Sequence, residues 1–157
     1  MAKKTNAVRL IEQLGISYEL SDYEIDLDAF SAVVVADLIG MDAAAVFKTL
    51  VVSGERNGPC FAVVAANSDL DLKALARAHG ERRVEMLPVK DVEPLTGYRR
   101  GGVTAIGARK ALPVYVDASA MNHDVIGVSG GIKGLQIRIA PTDYIAASGA
   151  VVVDIQR

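Results

Sequence analysis

The chain has 157 residues, enough for one domain of ordinary size, and its 51% hydrophobic content is ample for a buried core. A net charge of −2 excludes a strongly basic nucleic-acid binder while leaving room for local basic patches. No apolar run reaches the roughly 18–20 residues of a membrane span, and a single cysteine, Cys60, excludes an internal disulfide or a cysteine metal cluster.

The start, MAKKTNAVRL, is polar and lacks the apolar stretch of a signal peptide, so the expected compartment is the cytoplasm. Asn6 is the expected cap of a helix striped by Ala7, Leu10, Ile11 and Leu14 and stopped at Gly15. ISYEL alternates, which predicts a strand with Ile16, Tyr18 and Leu20 on one face. Residues 28–39 read as a helix ending at Gly40, although three consecutive valines suit a helix poorly. VFKTLVVSG and CFAVVAA flank an Asn57-Gly58 turn, a hairpin signal. Asp69 or Asp71 begins a helix through LKALARAH, closed by Gly80. A short strand at Val84–Leu87 leads to a helix after Pro88. Beyond Gly97 the pattern is strand and glycine-rich loop: GYRRGGVTAIG, PVYVD, then VIGVSGGIKGLQIRIA, with a last helix after Pro141 and a closing VVVDI. No linker or repeat divides residues 1–157, so one domain is expected. Hairpins and helices without strict alternation predict an α+β fold with a mixed or barrel-like sheet.

Three segments have the makings of a site. Lys48 interrupts the apolar run VFKTL, where a lysine either snorkels to solvent or lines a polar cleft. The glycine-rich stretches Gly97–Gly107 and Ser129–Gly134 are either tight turns or places where backbone N–H groups meet a phosphate or an oxyanion. In DLDLKAL, Asp69, Asp71 and Lys73 read most simply as cap and surface residues. Cys60 opens an apolar strand and reads as a small core residue. His79 and His123 have no partner at metal-ligand spacing and are expected on the surface. No nucleophile-elbow serine, zinc-binding histidine pair or P-loop occurs, so no metal or cofactor is expected. Ester hydrolysis by a positioned water with an oxyanion site remains open.

Taken in order, VFKTLVV, DLDLKALARAHG, VEML, TGYRRGGVTAIG, VYVDAS and VSGGIKGLQI resemble the YbaK/EbsC family over essentially the whole chain. These are aminoacyl-tRNA deacylases related to the editing domain inserted in some prolyl-tRNA synthetases. The resemblance implies a barrel-like mixed sheet surrounded by helices. It also implies a metal-independent hydrolase that edits Cys-tRNA(Pro) in trans, aided by the substrate's own thiol. Mischarged tRNA is the implied partner, and prolyl-tRNA synthetase a second one. The implied catalytic residues are Lys48, on the terminal adenosine or its phosphate, with the glycine pair Gly101 and Gly102. Implied substrate contacts are Tyr23, Thr104, and Ser129 with Gly130 and Gly131. Arg99, Arg100, Arg109, Lys110 and Lys133 flank the glycine loops and form the expected basic patch for RNA. Two stretches depart from the family pattern. Asp28–Val33 replaces a Tyr-Gly-x-Glu-Ala-type motif, and Thr104-Ala105-Ile106 replaces a Ser-Pro step, so an editor for another amino acid stays open. A binding module without turnover stays open as well.

Overall fold

A computed structural model describes residues 4–157; the first three residues lie outside it. The order of elements is α1 (Asn6–Gln13), β1 (Glu19–Asp22), α2 (Ala32–Ile39), β2 (Phe47–Gly54), β3 (Gly58–Ala65), α3 (Leu72–Ala78), β4 (Val84–Met86), α4 (Val89–Thr96), β5 (Val114–Asp117), β6 (Ile126–Ser129), β7 (Leu135–Ile139), α5 (Pro141–Ser148) and β8 (Val151–Val153). Two sheets result: three strands in the order β1-β7-β6 and five in the order β4-β2-β3-β5-β8. The larger sheet is mixed, because β2 meets β3 and β4 antiparallel while β5 runs parallel to both β3 and β8. The sheets touch at one parallel bridge, Val46 beside Gly127, where the Gly127 N–H donates to Ala45 O at 2.9 Å. The expected α+β fold is present, as two abutting sheets flanked by helices rather than a closed barrel.

Local chemistry sets the boundaries. Thr5, not Asn6, caps α1: its hydroxyl accepts from Val8 N at 3.2 Å. The expected 28–39 helix is two pieces, because Ser31 accepts from Val34 N at 3.2 Å and starts a helix of its own after a 3-10 turn at Leu27–Ala29. β1 begins three residues later than the alternation predicts, although Ile16, Tyr18 and Leu20 all pack against the main core. The hairpin forms as expected: Gly54 pairs with Gly58, and Gly58 takes a φ of +71°, which a side chain would disfavour. Asp71 caps α3 by accepting from Ala74 N at 3.1 Å.

Two further expectations fail. Residues 97–113 contain no strand and are shaped by hydrogen bonds instead. Tyr98 OH donates to Ile106 O at 2.7 Å, and Arg109 N donates to Thr96 O at 2.8 Å. His79 is buried, not on the surface. Its Nε2 lies 2.9 Å from the Gly58 carbonyl, which only accepts, so Nε2 carries the hydrogen and Nδ1 accepts from Tyr115 OH at 3.1 Å. His123 is half-buried, edge-on to the Phe47 ring at 6.3 Å.

Candidate active site

The parity of β2 determines the site. Ala66 N donates to Val46 O and Leu87 N donates to Val51 O. In an antiparallel ladder, successive peptides face opposite edges. Even-numbered residues of β2, Lys48 among them, therefore bond to β3, and odd-numbered ones face the other edge. That other edge is covered by the β6 bridge at Val46 and by β4 from Val52 onward. Between them the peptide of Thr49 faces an uncovered gap, and a cavity of about 320 Å³ lies against this gap.

The walls come from four places. β2 contributes Phe47 to Val51, α2 and the turn before it contribute Val35, Ala32 and Phe30, the β4–α4 segment contributes Met86, Leu87, Val89 and Val92, and Arg100, Gly101, Val103, Ser129 and Gln136 close the far side. Most of these are apolar, so the few polar groups fix what binds and how it is oriented. Lys48 Nζ is 3.4 Å from Ala66 O, a long hydrogen bond, and forms no ion pair among the described residues. Gln136 is 5% exposed, and its Oε1 has no hydrogen-bond partner. Leaving a buried amide oxygen unpaired costs about 1–3 kcal/mol, which a ligand donor would recover. The Tyr23 hydroxyl beside Gln136 is likewise buried with no hydrogen bond of good geometry, and burial raises its pKa against the weaker pull of the Gly134 backbone and the Gln136 side chain. No His, Asp, Glu or Cys lines this cavity. Cys60 is fully buried in another cluster, and burial above all, then the Glu81 carboxylate, pushes its thiol up to about 12.

Of the residues singled out from the sequence, Lys48, Arg100, Gly101 and Ser129 meet in this cavity. Gly131 lines a second cavity with Arg99, Arg100 and Lys133, and Tyr23 lines a third with Gly134. Gly102 is buried, and its N–H is taken by Arg99 O at 2.8 Å. A Cβ on Gly102 would sit 2.6 Å from Ile132 Cα, so this glycine lets the two loops touch. Gly130 is held the same way, its N–H donating to Leu135 O at 2.8 Å. Thr104 is fully buried, accepts from Ile106 N at 3.3 Å and lies outside the lining of the first cavity. Arg109 and Lys110 are exposed, with Arg109 leaning on Pro94 O at 3.4 Å. Gln136 and the Thr49 peptide escape a reading by motif. LQIRI reads as strand, and only strand parity and an unpaired oxygen mark these two groups out.

Among the described residues no group of three His, Cys, Asp or Glu side chains is placed to hold a metal ion. No helix of the described residues is long and apolar enough to cross a membrane.

The cleft thus sets a lysine, an unpaired amide oxygen and open peptide groups among apolar walls on a mixed α+β scaffold. The chain belongs to the aminoacyl-tRNA editing domain family, whose pattern it matches over residues 27–147. It is 40% identical over 153 residues to EbsC of Enterococcus faecalis (strain ATCC 700802 / V583), described as a candidate Cys-tRNA(Pro)/Cys-tRNA(Cys) deacylase, covering 98% of this chain and 93% of that one. A solved candidate trans-editing enzyme for prolyl-tRNA synthetase superposes with a TM-score of 0.86 at 25% identity, covering 99% of both chains. A solved hypothetical protein shares the fold with a TM-score of 0.87 at 22% identity, covering 98% of this chain and all of that one.

Proposed function

We propose that this protein is a free-standing editor that hydrolyses the ester of mischarged aminoacyl-tRNA, with Cys-tRNA(Pro) as its main substrate. The observation that carries this is the small apolar cavity against the open edge of β2, which holds an unpaired amide oxygen and a lysine without a carboxylate. An aminoacyl group fits a cavity of about 320 Å³. Its α-ammonium would give Gln136 Oε1 the donor it lacks, and the Gln136 amide can turn over to present either end. Lys48 then meets the phosphate or ester oxygen of the terminal adenosine. Gly101, whose N–H donates to no acceptor among the described residues, borders the same space and supplies a backbone donor for the developing oxyanion.

With no side-chain base in the cavity, a positioned water is the nucleophile and the substrate's own thiol assists it. The water oxygen bonds to the carbonyl carbon, the bond from that carbon to the ribose oxygen breaks, and the ribose oxygen takes up a proton. Proline and cysteine are near in size, so a synthetase pocket separates them weakly and a second hydrolytic step adds fidelity. Prolyl-tRNA synthetase is the proposed partner, as the source of the mischarged tRNA.

A panel of purified Cys-, Ala- and Pro-tRNA(Pro) tests this. Cys-tRNA(Pro) should be deacylated faster than Pro-tRNA(Pro) by about tenfold or more, the scale on which an apolar pocket discriminates. Faster hydrolysis of Ala-tRNA(Pro) would make the protein an editor for another amino acid. No hydrolysis of any member would leave a binding module.

A further inference from the structure

The second cavity, of about 650 Å³, adjoins the first and shares Val89, Val92 and Arg100 with it. Gly101 lines the first cavity, and a Cβ placed on it would meet Lys133 Cγ at 3.3 Å and Leu27 Cδ1 at 3.5 Å, both of which line the second. Arg100 borders both cavities. The second cavity combines two kinds of surface. Leu27 (40% exposed), Ile132 (40%) and Val89 (68%) offer flat apolar contact that the fold leaves uncovered. Arg100 and Lys133 offer positive charge and form no ion pair among the described residues, whereas Arg99 is held by Glu93 at 2.9 Å. Apolar surface beside unpaired cations suits a nucleobase with its phosphate; single-stranded nucleic-acid sites combine positive charge with apolar faces in this way, here with aliphatic side chains where aromatic rings are usual.

We propose that the second cavity binds the penultimate nucleotide of the tRNA acceptor end. Its base lies among Leu27, Ile132 and Val89, its 5′-phosphate meets Lys133, and the phosphate joining it to the terminal adenosine meets Arg100. This rests on the first cavity being the aminoacyl-ester site. The shared wall of Val89, Val92 and Arg100 places the two cavities side by side, as neighbouring nucleotides require. The cavity thus commits the acceptor end to one direction of approach and holds the ester against Gly101.

Binding rather than turnover tests it. The probes are the 5′-phosphorylated dinucleotide pCpA and adenosine 5′-monophosphate, titrated into the full chain by calorimetry and by amide chemical shifts. The expected result is that pCpA binds about tenfold tighter or more, shifts the Ile132 and Lys133 amides where the monophosphate does not, and loses affinity more steeply with salt. Lys133→Ala and, separately, Ile132→Ala alter exposed side chains and should each cut this advantage severalfold. Equal affinity for the two probes, or an advantage that survives both substitutions, overturns the proposal. If pCpA keeps its advantage in a protein that deacylates no aminoacyl-tRNA, the nucleotide subsite stands and the deacylase reading falls.

Discussion

Lys48 sits in β2 opposite Val64, with only a backbone carbonyl at 3.4 Å for company. An ammonium this lightly held contributes little to folding, and we propose that its role lies with a ligand. Lys48→Ala is expected to lower kcat/KM for Cys-tRNA by roughly 100-fold or more, the scale of one lost electrostatic contact at a reacting centre. The same variant should change stability by about 1 kcal/mol or less. Both quantities are read on one preparation, the first by deacylation kinetics and the second by denaturant melts. A folded variant with normal turnover would reduce Lys48 to a snorkelling strand residue. At this scale the sequence speaks clearly about Lys48, because a charge inside an apolar run stands out. It is silent about Gln136, whose unpaired oxygen depends on what β1, β7 and Tyr23 leave around it. It is misleading about His79, because the Gly58 carbonyl and the Tyr115 hydroxyl that make its burial tolerable come from distant strands.

The two glycine loops work as a pair. Gly102 approaches the Ile132 backbone more closely than any side chain permits. Gly102→Ala must therefore push the loops apart, since a peptide backbone cannot swing aside as a flexible side chain can. The expected loss is about 1–3 kcal/mol of stability, as for overpacking, and a fall in deacylation well beyond what the destabilisation explains. Thermal melts and single-turnover rates check the two parts. Native stability together with native rate would show that loop spacing does not set the site. Elements with strong local signals were legible: the hairpin from Asn57-Gly58, α3 from Asp71, and the helix before Gly40. The region from Gly97 to Pro113 was not, because its shape comes from single hydrogen bonds such as Tyr98 to Ile106, and β-like composition carries no trace of those. The cavity itself was also hidden. It depends on β4 being short and on β6 touching β2 only at Val46, and both are facts of pairing rather than of composition.

Over the whole molecule, the buried acids of the core govern behaviour at high pH. Burial pushes Cys60 from an ordinary value near 9 up to about 12, and Tyr98 from 10 up to about 12 against the pull of the Ala7 backbone; burial raises Tyr144 as well. Below pH 9 these groups are protonated in folded and unfolded chains alike, and stability is unaffected. Above it the unfolded chain releases protons that the folded one retains, so stability falls as pH rises through about 9 to 12. Melting temperature should be level up to pH 9 and then decline, and Cys60→Ala should make the decline shallower while leaving deacylation within a few-fold of normal. An unchanged decline in that variant would remove Cys60 from the account, and complete inactivation would revive a thiol nucleophile. The open edge of β2 has a consequence for the history of such proteins. Where part of the proposed chemistry rests on peptide groups that every residue carries, point mutation cannot easily delete that part. Substitutions at Phe30, Met86 or Val103 reshape the walls while the Thr49 and Gly101 peptides stay where strand and loop hold them. New substrate preferences can therefore be tried one side chain at a time without first losing the reaction, and a single scaffold can diversify into editors for different errors.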